Sequence, residues 1–86
     1  MSRTFTQAQA EAKRGKPVRA RRSSLAKYGI PSGLNGKVVE ALAPYTTQAT
    51  LKEEGWFVYV KFELPEGRTQ ILRLDKTEYE RALEEL

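Results

Sequence analysis

The sequence predicts an α+β domain built on a three-stranded antiparallel meander, and three observations predict it. The stretch Trp56 to Leu64 is the densest run of aromatic and β-branched residues, with Trp56, Val58, Val60, Phe62 and Leu64 apolar at alternate positions. Glu53-Glu54-Gly55 before it and Pro65-Glu66-Gly67 after it are three-residue connections ending in glycine, the form of a type I turn closed by a G1 bulge. Beyond the last strand, Asp75 and Glu78 make a capping pair ahead of Tyr79, Ala82, Leu83 and Leu86, which recur at helical spacing.

From the amino terminus, Thr4 to Arg14 carries good helix formers, a capping pair in Thr6 and Gln9, and Gly15 placed to end a helix. Its apolar content is mostly alanine, so such a helix is marginal in isolation. Lys16 to Ser24 has no helical or strand period and its like charges repel, which predicts a basic arm over residues 1–24, disordered when free, ahead of a folded domain over 25–86. Leu25 to Gly36, with its glycines and Pro31, reads as a loop that lies over the domain. Asn35 is placed to cap a short helix from Gly36 to Ala43, with Pro44 stopping it.

Strands are expected at Tyr45 to Lys52, Trp56 to Leu64 and Thr69 to Leu74. Three-residue loops fix the register, so Val60 faces Leu72 and Val58 faces Leu74 on the core side. On the other side Phe57 pairs with Leu51, Tyr59 sits between Ala49 and Arg73, and Lys61 sits between Thr47 and Ile71. That second face is half apolar. It is either covered by Val39, Leu42, Tyr28 or Ile30 or left as a binding surface.

Composition narrows function. The 86 residues hold no Cys and no His, which excludes disulfides, thiolate nucleophiles, soft-ligand zinc sites and an imidazole base. No phosphate loop is present, since Ser32 to Lys37 lacks the glycine spacing and the Lys-Ser/Thr ending. Glu78, Glu80, Glu84 and Glu85 read as the solvated face of the last helix. An enzyme, a cofactor and a metal are therefore not expected. No apolar run has the length of a signal peptide or a membrane span, so the expected location is the cytoplasm.

The net charge of +4 conceals an asymmetry: up to Lys37 the cations meet Glu11 alone, and from Val38 onward acids outnumber bases. Lys13, Arg14, Lys16, Arg19, Arg21, Arg22 and Lys27 are the candidate phosphate contacts, because mobile cations release counterions from a polyanion without needing fixed geometry. Phe57, Tyr59, Lys61 and Arg73 on the second sheet face add the mixture of rings and cations that single-strand binders use for stacking. The expected function is a small non-enzymatic nucleic-acid-binding protein, with DNA or RNA as partner. The alternative is a protein-binding module or inhibitor that engages a partner protein through the sheet face or the edge strand Tyr45 to Lys52.

Two short motifs and one architecture carry resemblances. Arg14-Gly15-Lys16-Pro17 resembles the core of the AT-hook, which implies an extended backbone in the minor groove, although Lys13 stands where that motif has another proline. Arg21-Arg22-Ser23-Ser24-Leu25 resembles the consensus of basophilic protein kinases, which implies Ser24 as an acceptor whose phosphorylation lowers the arm's charge. A three-stranded sheet followed by one helix is similar in outline to the amino-terminal DNA-binding modules of tyrosine recombinases and to AP2 domains. In those modules the sheet enters the major groove.

Overall fold

The structure, a computed structural model, describes residues 4–21, 25–42 and 55–86. Local signals account for the two α-helices among the described residues. Helix α1 (Gln7–Lys13) begins in a full capping box: Thr6 Oγ1 accepts from the Gln9 amide at 3.1 Å, and Gln9 Oε1 accepts from the Thr6 amide at 3.0 Å. Helix α2 (Lys76–Ala82) begins in the same way on Asp75 and Glu78, at 2.8 and 3.1 Å.

The class is α+β, and among the described residues the sheet has five antiparallel strands rather than three. They are β1 (Pro17–Ala20), β2 (Asn35–Leu42), β3 (Phe57–Glu63), β4 (Thr69–Leu74) and β5 (Leu83–Glu85), in the order β4-β3-β2-β1-β5. The β3–β4 hairpin has the register the sequence predicts: Val60 faces Leu72, Val58 faces Leu74, Tyr59 faces Arg73 and Lys61 faces Ile71. Its loop closes through the Leu64 amide to the Arg68 carbonyl at 2.7 Å, with Gly67 at φ +85°, the conformation a G1 bulge needs.

Three expectations are corrected. The helix expected from Gly36 to Ala43 is instead strand β2, lying between β1 and β3. Gly36 and the β-branched pair Val38-Val39 weaken a helix, and Val38 gains a buried place opposite Val60. The glycine is required for another reason: a Cβ there would stand 2.7 Å from the Phe62 ring and 2.8 Å from the Lys61 carbonyl oxygen. The register shifts between Val38 and Glu40, which leaves Val39 as the extra residue of a bulge. Consequently the second neighbours of Phe57, Tyr59 and Lys61 are Leu42, Glu40 and Lys37. The expected strand Tyr45 to Lys52 lies outside the described residues.

The second correction concerns the amino-terminal segment, where Pro17–Ala20 forms β1, flanked on both sides by other strands. Val18 and Ala20 point into the core, so the alternation with Arg19 and Arg21 is a strand period. Phe5 is also buried. It exchanges backbone hydrogen bonds with Trp56 at 3.1 and 3.3 Å and packs edge-on against Tyr79, with ring centres 5.6 Å apart. The third correction is that the last helix stops at Ala82. Leu83 takes extended dihedrals, and Leu83–Glu85 pairs with β1 through Ala20↔Leu83, Arg19↔Glu84 and Val18↔Glu85.

This return of the chain shapes the sheet. Laid flat, β4 and β5 would be roughly 19 Å apart, four gaps of about 4.8 Å. Asp75 and the seven residues of α2 connect them, and a helix of that length rises only about 10 Å. The sheet therefore curls around one core, in which Val18, Val38, Val58, Val60, Phe62 and Ile30 are essentially inaccessible to water. Among the described residues no polar or charged residue is buried there.

Candidate nucleic-acid interface

The pleat of β1 turns Val18 and Ala20 inward and so turns Arg19 and Arg21 outward. Arg19 stands between β5 and β2, with Nη1 3.7 Å from Glu84 Oε1 and Nε donating to Asn35 Oδ1 at 3.4 Å. Arg21 is held at the strand end, where its amide donates to the Ala82 carbonyl at 2.8 Å and its Nε to the Leu83 carbonyl at 2.9 Å. The same chain return brings Arg81, from the last turn of α2, to these two arginines.

Together they line an open groove of about 560 Å³, with Ser32, Gly33 and Glu84 completing its walls. Gly33 sits at φ +83° and its amide donates to the Ala20 carbonyl at 2.8 Å, which ties the loop wall to β1. Among the described residues Arg21 and Arg81 make no ion pair. The groove thus presents three guanidinium groups and one carboxylate, a cationic seat suited to phosphate oxygens.

The other amino-terminal cations are placed differently. Lys13 forms an ion pair with Glu85 and lies 5.2 Å from the centre of the Tyr79 ring. Tyr79 also donates to Glu85 at 2.8 Å. The hydrogen bonds from Lys13 and Tyr79 hold the Glu85 carboxyl below its ordinary range, while burial and the Glu85 contact raise the Tyr79 hydroxyl well above its own. Arg14 reaches Glu40 at 3.5 Å, and the Lys16 carbonyl accepts from the Val38 amide at 2.9 Å. Lys16 and Arg21 bracket β1 and are therefore roughly 16 Å apart along it. Lys27, on a 3₁₀ turn at Ala26–Tyr28, stacks its ammonium 5.1 Å from the Tyr28 ring centre and lines a depression shared with Arg81 and Glu78. Arg22 and Ser24 lie outside the described residues.

Arg14-Gly15-Lys16-Pro17 is not an extended segment: Arg14 closes α1, Gly15 turns at φ +82° and Pro17 opens β1. The acids read as a solvated helix face are divided, since Glu84 and Glu85 stand on β5 and pair with Arg19 and Lys13.

Phe57, Tyr59, Lys61 and Arg73 share the outer face of the sheet, as expected. The Arg73 guanidinium lies 5.1 Å from the Phe57 ring centre, and Lys61 Nζ is 3.8 Å from Glu63. Of the residues offered as a cover, Ile30 is buried in the core, whereas Val39 and Tyr28 remain exposed. Two cations were not singled out from sequence. Arg81 depends on the return of β5, and Lys37, which stands directly opposite Lys61, falls in the segment read as helix.

Among the described residues no helix is long and apolar enough to cross a membrane, and no group of His, Cys, Asp and Glu is arranged to hold a metal ion. Family models, curated proteins and solved structures were each compared with the chain, and none matches it.

Proposed function

We propose that this is a small non-enzymatic nucleic-acid-binding protein that contacts phosphates through Arg19, Arg21 and Arg81. The observation that carries the reading is their convergence, from β1 and α2, on one open groove. Guanidinium forks match phosphate geometry, and the backbone bonds that fix Arg21 reduce the ordering cost of binding. The overall charge of +4 favours encounter with a polyanion.

The test is binding of labelled duplex and single-stranded DNA or RNA across a salt series. Each phosphate neutralised contributes about −0.7 to −0.9 to the slope of log K against log salt, so three contacts give a slope of roughly −2 to −3. Binding that ignores salt, or no binding at low salt, contradicts the proposal. A second reading, a protein-binding module, is favoured by one observation. Strand β4 forms an edge of the sheet among the described residues, and Ile71 on it is 52% exposed. A protein partner released by Ile71→Asp, with no nucleic acid bound, would select it.

A further inference from the structure

Lys37 on β2 and Lys61 on β3 are direct cross-strand partners, an arrangement that repels in the free protein. The only carboxylate ion-paired with either among the described residues is Glu63, on Lys61. One diagonal step from Lys37 leads to Arg19 on β1, and one from Lys61 leads to Arg73 on β4, by the registers Pro17↔Lys37, Arg19↔Asn35, Lys61↔Ile71 and Tyr59↔Arg73. Direct cross-strand neighbours are roughly 5 Å apart and diagonal ones roughly 7 to 8 Å. Four cations therefore cross four strands at steps comparable to the spacing of phosphates along an extended single strand.

Three side chains beside these cations are apolar or aromatic, while Asn35 opposite Arg19 and Glu40 opposite Tyr59 are polar. Val39, displaced outward at the bulge, is 37% exposed, Ile71 is 52% exposed, and Tyr59 is half-buried beside Arg73. Acids are present on the face too: Glu84 pairs with Arg19, Glu63 with Lys61 and Glu40 with Arg14. Such exposed pairs are weak and yield to a phosphate, and Lys37 stands outside all of them.

Resting on the nucleic-acid reading above, we infer that the outer sheet face selects a single strand. Its phosphates follow Arg19, Lys37, Lys61 and Arg73, and its bases lie on Val39, Tyr59 and Ile71. A duplex keeps its bases stacked inside and offers this surface phosphates alone, which leaves the apolar side chains without a partner.

The test uses the full chain, a labelled oligothymidylate and a duplex of equal length. Lys37→Glu is exposed and unpaired among the described residues, so it reverses a charge on the track without touching the core. It should weaken single-strand binding by about tenfold or more, with duplex binding within about twofold. Tyr59→Leu, which preserves much of the apolar contact, should weaken the single strand by about 5-fold or more and spare the duplex. If Lys37→Glu weakens both ligands equally, or the wild type binds the duplex as tightly as the single strand, the inference falls while the proposed function stands. If neither ligand shows salt-sensitive binding, both fall.

Discussion

Lys13 of α1 and Glu85 of β5 form an ion pair across 72 positions of sequence, roofed on one side by the Tyr79 ring. The pair ties the amino-terminal helix to the last strand, and its titration has a definite sign. Glu85 is depressed below its ordinary 4.5, so its contribution is complete above that value and is lost as pH falls through the lower folded value. Both side chains retain contact with water, so the pair contributes about 0.2 to 1 kcal/mol. Lys13→Met should lower the melting temperature at neutral pH by a few degrees, and the difference from wild type should shrink in acid below about pH 4. Tyr79 has the opposite limb: its raised hydroxyl stabilises the fold until pH climbs past its ordinary 10.0, and stability then declines.

Gly36 lies under the Phe62 ring so closely that a methyl group has no room. Gly36→Ala should therefore cost about 1 to 3 kcal/mol, the range for overpacking a closed site, read from urea midpoints. An unchanged midpoint would mean that the ring does not cover this position.

Strand β1 supplies the sharpest test of the amino-terminal fold. The Ala20 amide donates to the Leu34 carbonyl at 2.9 Å and the Arg21 amide to the Ala82 carbonyl at 2.8 Å, one toward each flanking strand. Hydrogen exchange at these two amides should be slowed to near the rate set by global unfolding. Val18→Ala, at a site with no accessible surface, should cost about 2 kcal/mol. Random-coil exchange at Ala20 and Arg21 would contradict the five-stranded sheet.

How much of this was legible in the sequence depends on how local each determinant is. The two capping boxes, the turn at Gly67 and the β3–β4 register are written in adjacent residues and were read directly. Strand β1 was missed because its apolar content is Val18 and Ala20 alone, and its arginines suggest a repelling linker until Glu84 is placed beside Arg19. Strand β2 was misread because Asn35 imitates a helix cap, while the decisive facts, Val38 against Val60 and Phe62 over Gly36, are contacts with residues distant in sequence. The groove follows the same division. Arg19 and Arg21 were visible as cations, whereas Arg81 joins them only because α2 is short enough to send β5 back along β1.

The most direct measurement of the central claim is the salt slope of nucleic-acid binding for wild type and for Arg19→Ala/Arg21→Ala/Arg81→Ala. Loss of the Arg21 bond to the Leu83 carbonyl costs the fold about 0.5 to 1.5 kcal/mol, so folding of the variant is checked first by its melting curve. If the groove seats phosphates, affinity should fall for every sequence alike and the slope should flatten by roughly 2 to 3, nearly one unit for each arginine removed. A folded variant that retains both the wild-type affinity and the wild-type slope would contradict the account.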